Sequence, residues 1–478
     1  MTANQSEVRK VYLISVIMMG NVYMKKRKKQ KKQIAYFFIT FMAVLFVGGI
    51  VLFAMSRGNA GEPGCEEAAE SIENVPVKEQ ASTEQEIAPD EDTTTKAEPV
   101  VEEEVVRVSP VVMAFGGDIC FHDDFANMGA LRSRGGKIDS SLSADLLAEM
   151  QQADILMVNN EFTYSDRGAP LPEKAFTFRS RPENVNLLHE MGVDIVSLAN
   201  NHVYDYGEDA LFDTLDILRE ADIPYVGAGR NLDEAKEPYY YKINGRTIAF
   251  VSATQVERNE SPDTKGATEV TAGTFRCFTE TEFANLLDVV KEADANSDCT
   301  VVYIHWGTEN VDELHWAQEW QAPQLVEAGA DLIVGDHPHC LQGIDYIDDV
   351  PVFYSLGNFW FNSKTLDTGL LKVTLDENGA LVCQFLPAKQ HDCRTDLESG
   401  EEKQRILQYL QCISPDVTID ENGYITDVPY SGPKINYDAV SRLPKPVEPP
   451  SVDATQTTTV TEGTQQQTTI VEETESTQ

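Results

Sequence analysis

The chain is 478 residues long, with 38 Lys and Arg against 78 Asp and Glu and a formal net charge of −40. So acidic a surface repels nucleic acid and other polyanions, which excludes nucleic-acid binding as a function. The eight cysteines, at positions 65, 120, 277, 299, 340, 383, 393 and 412, show neither a CxxC zinc knuckle nor the close spacing of a disulfide framework.

In chain order, residues 1–33 form a basic N-terminus closing in Lys25-Lys26-Arg27-Lys28-Lys29-Gln30-Lys31-Lys32. An earlier apolar run, Val11 to Met19, is too short to span a bilayer. Residues 34–55 carry no charge over 22 positions, long enough to cross a bilayer core as one helix. Basic residues stay on the cytoplasmic side, so the expectation is a single-pass cell-membrane protein with a cytoplasmic N-terminus and an extracytoplasmic remainder. Residues 1–57 hold ten of the 38 Lys/Arg and one of the 78 Asp/Glu, leaving 28 against 77 beyond them, a balance of −49. Residues 56–107 are rich in Glu, Thr, Pro and Ala and predict a disordered acidic stalk. Residues 444–478 predict a disordered Thr/Gln-rich tail, which leaves 108–443 as the folded domain.

Within that domain, apolar runs alternate with helical patterns, the signature of a layered α/β unit. Strands are predicted at Val111–Phe115, Ile155–Val158, Ile195–Leu198, Thr300–Ile304 and Asp331–Val334. Helices are predicted near 144–152, 183–191, 208–221, 280–293 and 316–328. Tyr239–Ile243 and Thr247–Ser252, joined through Asn244-Gly245-Arg246, predict a hairpin. After residue 340 the pattern turns to strands at 343–347, 352–355, 370–375 and 381–385, so parallel strands come first and antiparallel ones later.

Ligand-type residues follow directly on these strands, where open α/β sheets place their sites. The first run ends in Gly116-Gly117-Asp118, the second in Asn159-Asn160-Glu161, the third in Asn200-Asn201-His202. The fourth ends in His305-Trp306-Gly307-Thr308-Glu309 and the fifth in Gly335-Asp336-His337-Pro338-His339. Proline extends the residue before it, and side chains at i and i+2 of an extended segment share a face, so His337 and His339 are expected to converge. Carboxylate, carboxamide and imidazole together suit Mn²⁺, Fe or Zn²⁺ and not Ca²⁺ or Mg²⁺. Asp118 and Glu161, lying between two histidine groups, give room for two divalent ions, with one carboxylate bridging them and Asn201 supplying an oxygen. His202 is then left to protonate a leaving oxygen.

The ordered set Gly-Asp, Asn-x-Glu, Ala-Asn-Asn-His, His-Trp-Gly-x-Glu, Gly-x-His-Pro-His and Ser355-Leu356-Gly357-Asn358-Phe359 resembles the CapA family of bacterial capsule proteins, over about residues 110–390. That family is linked to poly-γ-glutamate capsule synthesis and is similar to the calcineurin-like metallophosphatases. The resemblance implies a four-layer αββα sandwich with mixed sheets. It also implies metal ligation by Asp118, Glu161 (as the bridge), Asn201, His305, His337 and His339, with His202 as general acid. Two departures stand out: Cys120 occupies the third position of an Asp-x-His motif, and Glu161 replaces an aspartate. Cys120 reads better as a small buried thiol than as a thiolate ligand.

Around this set, Glu309 is read as a substrate contact or an orienter of a ligand. Asn358 is read as fixing the loop after Tyr354, while the resemblance implies a place in the site lining, and Arg179 and Arg181 are taken as anion contacts. Asp336 is expected to cap a turn and His122 to be exposed; His189 and His315 are structural. Two functions stand at this point. One is a membrane-anchored, metal-dependent phosphoesterase-like hydrolase of capsule biosynthesis. The other is a non-catalytic accessory subunit of a capsule polymer synthesis or export complex, with synthase subunits as partners.

Overall fold

The computed structural model describes residues 108–256 and 265–443. The expected basic terminus, membrane anchor (34–55), stalk and C-terminal tail lie outside the described residues. No helix among the described residues is long and apolar enough to cross a membrane.

Two mixed sheets organise this region. In the larger, the strands Val111–Ile119, Ile155–Asn160, Ile195–Ser197 and Tyr225–Val226 run parallel. Leu366–Leu375 pairs antiparallel with the first of these and with Leu381–His391. In the smaller sheet, Arg246–Thr254, Cys299–His305, Leu332–Asp336 and Val350–Phe353 are parallel neighbours in that order. Tyr239–Ile243 closes one edge antiparallel to Arg246–Thr254. That hairpin turns through Asn244 and Gly245 at φ 52° and 76°, both left-handed, as a two-residue turn matched to strand twist requires.

The parallel strands read as unbroken apolar runs because both of their faces are buried. Val111, Met113, Phe115, Ile155 and Met157 of the larger sheet share one core with Phe250, Val301, Tyr303 and Val334 of the smaller. On its other face the larger sheet packs Ala114, Leu156, Val158 and Val196 against Leu146, Leu188, Leu211 and Leu215 of flanking helices. The smaller sheet packs Val251, Val302, Ile304 and Ile333 against Phe283, Leu286, Val290 and Leu325 of the helices Glu280–Ala295 and Trp316–Glu327. The result is an α/β sandwich.

Some elements differ from expectation. The pattern over 183–191 is a 3₁₀ turn, Pro182–Val185, followed by the helix Asn186–Met191, which stops at Gly192 (φ 82°). The helices Ala126–Ser133 and Gly400–Cys412 were not anticipated. The parallel strands run on past their apolar residues to include Asp118, Asn159 and Asn160, His305 and Asp336. Backbone hydrogen bonding therefore carries polar side chains up to the C-terminal edges of both sheets.

Candidate functional site

The strand ends of both sheets deliver their polar residues into one buried cluster. Asp118 and Glu161 are fully buried, and Asn201, His202, His305 and His337 are nearly so. His339 is the most open, its side chain 17% exposed. Asp118 needs its neighbour to be glycine: a Cβ on Gly117 would lie 1.8 Å from the carbonyl oxygen of Gly357. That close approach lets the Asp118 amide donate to the Gly357 carbonyl at 3.0 Å and sets Asp118 beside Asn358 on the adjoining strand.

His305 is the hub. Its Nε2 lies 2.9 Å from Asn201 Oδ1, 3.1 Å from His337 Nδ1 and 3.6 Å from Glu161 Oε1. On the other side of Glu161, Asp118 Oδ2 lies 3.2 Å from His339 Nδ1, and the Asn159 amide donates to Asp118 Oδ1 at 2.7 Å. Glu161, His305 and His337 form one set of donor atoms within 4.8 Å of each other, and Asp118, Glu161 and His339 a second. Glu161 belongs to both. Its two oxygens are buried with no hydrogen-bond partner, a costly state for a carboxylate. These buried His, Glu and Asp groups can hold a metal ion, and the orphaned carboxylate is what a cation would satisfy.

Electrostatics fit the geometry. Burial first, then the Asp118 carboxylate, pushes the Glu161 carboxyl well above its ordinary value. Burial pulls His305 well below the usual imidazole value, with His337 and His339 adding to the effect, so it presents a neutral ring nitrogen.

His202 stands at the edge of the cluster. Its Nε2 lies 3.8 Å from Glu161 Oε1, while Nδ1 donates to Asp205 Oδ2 at 2.7 Å. Asp205 also accepts from the Phe178 amide at 2.6 Å and from the Lys174 ammonium at 2.6 Å. Lys174 donates in turn to the Asn201 carbonyl. The Phe178 ring stacks on the His202 ring with centroids 4.0 Å apart. Burial lowers the His202 imidazole, and Asp205 opposes that fall.

Lys174, Phe178 and Asp205 went unread in the sequence. They meet across 27 to 31 positions, and no local pattern marks them. Asn159 and Asn200 were seen only as strand-end residues. Asn200 ties the strand ends together, donating to Asn159 Oδ1 at 3.0 Å and accepting from the His202 and Val203 amides.

His337 and His339 do converge, with ring centroids 5.9 Å apart, but not by the expected route. Both residues have left-handed backbones, φ 101° and 57°, in a turn beyond the strand. Non-glycine residues held there are strained, a feature concentrated at functional sites. Asp336 does not cap this turn. It is the last, fully buried residue of its strand, bonded to the Tyr303 hydroxyl and pushed well above the usual carboxyl value by burial and by Asp118.

Cys120 packs in the apolar cluster with Phe121 and Phe162, where burial drives its thiol well up. Asn358 is buried, with Oδ1 unpartnered. Glu309 is exposed on the loop after His305, yet near enough for its charge to raise Glu161. Arg179 lies with its guanidinium 4.3 Å from the centre of the Tyr206 ring, and Arg181 faces Asp123 at 3.6 Å. Neither guanidinium is engaged with the cluster in these contacts. His122 is half-buried, its Nδ1 accepting from the Arg179 amide at 3.0 Å, and not exposed as expected. His315 caps the helix Trp316–Glu327, and His189 lies within Asn186–Met191.

An α/β sandwich with a two-lobed cluster of His, Asp, Glu and Asn at its strand ends defines an α/β protein whose buried strand-end groups can hold a metal ion. More particularly, the chain belongs to the bacterial capsule synthesis protein PGA_cap family, whose model matches residues 112–363. It is 32% identical over 242 residues to the capsule biosynthesis protein CapA of Bacillus anthracis, covering 50% of this chain and 58% of that one. To the PGA biosynthesis protein CapA of Bacillus subtilis it is 33% identical over 224 residues, covering 46% and 57%. A probable polyglutamine synthesis accessory protein of Mycobacterium tuberculosis is 26% identical over 213 residues, covering 44% and 56%. The chain thus spans somewhat more than half the length of each of these relatives.

Proposed function

We propose that this chain is a CapA-type protein of poly-γ-glutamate capsule biosynthesis with a metal-dependent, hydrolase-type centre in a metallophosphatase-like αββα sandwich. The observation that carries the reading is Glu161, a buried carboxylate without a hydrogen-bond partner between two sets of metal donors. Asp118 and His339 hold one side of it; His305, His337 and Asn201 hold the other. Mn²⁺, Fe or Zn²⁺ suits this mixture of imidazole nitrogen with carboxylate and amide oxygen. When bound, such ions supply positive charge at a phosphoester or acyl oxygen and acidify water.

The remaining chemistry belongs to the chain. Asp205 accepts from Nδ1 of His202, so the proton that His202 exchanges sits on Nε2, facing the cluster. Lys174 and the Phe178 amide hold Asp205, and the Phe178 ring covers the imidazole and keeps water off that face. In this reading residues 34–55 anchor the protein in the cell membrane with the centre outside, beside polymer synthase subunits. A balance of −49 beyond residue 57 works against a polyanionic polymer, and ions in the centre would offset that locally.

A second reading, an accessory subunit without turnover, draws on the Asp118, Glu161 and His339 set, to which no asparagine oxygen is joined as Asn201 is to the other, and on the accessory role named for the mycobacterial relative. Metal analysis of the purified full-length chain, combined with cleavage of a generic phosphodiester, separates the two. The hydrolase reading expects bound metal and an activity lost in His202→Ala. Bound metal without any turnover, in a chain whose His202→Ala variant still supports capsule formation, would select the accessory reading.

A further inference from the structure

The two halves of the centre are not alike. Ligands bind such ions at about 2.0–2.2 Å, so donor atoms sharing one ion stand roughly 3.0–3.5 Å apart. From His305 Nε2 three donors stand within about 0.1 Å of that range or inside it, at 2.9 Å (Asn201 Oδ1), 3.1 Å (His337 Nδ1) and 3.6 Å (Glu161 Oε1). All four residues are at most 5% exposed. This half is therefore already near ligating spacing and lies away from the surface. The other half offers Asp118 and His339, 3.2 Å apart, and a share of Glu161. Its imidazole is partly open to solvent. Cys120, two positions after Asp118 and just past the strand, is committed to the apolar cluster. Asn159 turns its amide nitrogen, which cannot ligate, toward Asp118.

Resting on the metal-binding reading above, we infer that the ion sites are filled in order: Glu161, Asn201, His305 and His337 take the first ion tightly, and Asp118, Glu161 and His339 take a second ion weakly. The second ion is then the exchangeable one. Asp118, Glu161 and His339 would hold it with fewer protein donors than the first, which would make it the easier ion to lose. The first ion is held by four donors and mainly fixes the geometry of Glu161.

Mn²⁺ titration of the metal-stripped full-length chain tests this without reference to activity, using equilibrium dialysis for stoichiometry and electron paramagnetic resonance for the environment. The expected result is one equivalent bound at least about tenfold more tightly than the next. It gives the resolved hyperfine signal of an isolated ion, which gives way to an exchange-coupled signal as the second site fills. Asp118→Asn and His339→Ala should each keep the first equivalent and lose the second. His337→Ala should lose the tight equivalent. Far-UV circular dichroism of all three variants separates lost ligands from lost folding, and either variant of the weak half suffices if the other fails to fold. Two equivalents of equal affinity in the native chain would overturn the inference but leave the metal-binding reading standing. Loss of the tight ion in His339→Ala with its retention in His337→Ala would overturn it too. Binding by the native chain no stronger than by Glu161→Gln would overturn the inference together with the reading beneath it.

Discussion

Replacing Glu161 by glutamine should make the metal-free protein more stable and the metal-loaded protein less so. The glutamate is fully buried, neither oxygen has a hydrogen-bond partner, and Asp118 stands close enough to raise its pKa. An unsatisfied buried polar group costs about 1–3 kcal/mol, and more when charged. Glutamine keeps the shape and removes the charge but leaves a buried amide in its place, so at most about that much should be recovered in EDTA. Unfolding entropy of about 2.1 cal/mol/K per residue over roughly 330 residues converts this to a rise of about 1.5–4 °C in Tm. The gain should also depend on pH. A carboxyl whose folded pKa is raised binds a proton on folding, so the native chain loses stability as pH rises from the ordinary carboxyl range toward the raised value. The glutamine variant does not titrate there, and its advantage should widen over that interval.

Divalent metal should reverse the order. A ligand present at a hundred times its Kd stabilises the native chain by about 2.7 kcal/mol, and the variant has lost the shared carboxylate. Scanning calorimetry of both full-length proteins in EDTA and in Mn²⁺ measures all four stabilities. A glutamine variant that melts lower than the native chain in EDTA, together with a native chain indifferent to Mn²⁺, would refute the argument, because Glu161 would then be a satisfied structural residue.

Three further outcomes follow from other parts of the molecule. Asp205→Asn should lower phosphodiester turnover of the metal-loaded chain by about a hundredfold, because the carboxylate that orients His202 Nδ1 is gone; unchanged turnover would remove His202 from the reaction. Gly117→Ala should melt the strand end around Asp118, because its Cβ would sit 1.8 Å from a backbone oxygen. Overpacking costs typically about 1–3 kcal/mol, so a Tm unchanged from the native chain would mean that the Gly357 loop yields freely. Far from the centre, Arg405 bonds Asp367 and Glu402 and lowers the Glu402 carboxyl to about 2. That depressed value supplies stability above the ordinary carboxyl range which is lost as pH falls through about 2. The stability gap between the native chain and Glu402→Gln should therefore be constant near neutral pH and close in strong acid, as acid-unfolding curves would show.

The centre was largely legible because its residues obey a rule of position. In a sheet buried on both faces, the apolar run stops where the strand reaches the edge, and the first polar residues after it must sit at that edge. Asp118, Glu161, His202, His305 and His337 each follow such a run, so one rule applied five times brings them together without knowledge of the topology. The rule fails where a residue enters from outside the sheet. Lys174 and Phe178 belong to the connection between Glu161 and the helix at Asn186, and Asp205 to a loop after His202. All three are fixed by contacts spanning 27 to 31 positions, which leave no trace in local composition. The His337–His339 pair shows a subtler failure. Two imidazoles spaced by one residue were expected to converge on an extended backbone, and they converge on a left-handed one. Spacing limits which side chains can meet, while the hydrogen-bonded end of the Leu332–Asp336 strand and the packing beyond it decide how. The arrangement that results holds His337 in a left-handed backbone and leaves both Glu161 oxygens without a hydrogen bond, two local costs in one place. A cation among these donors would satisfy that carboxylate, and this is the support the geometry gives to the metal-binding proposal.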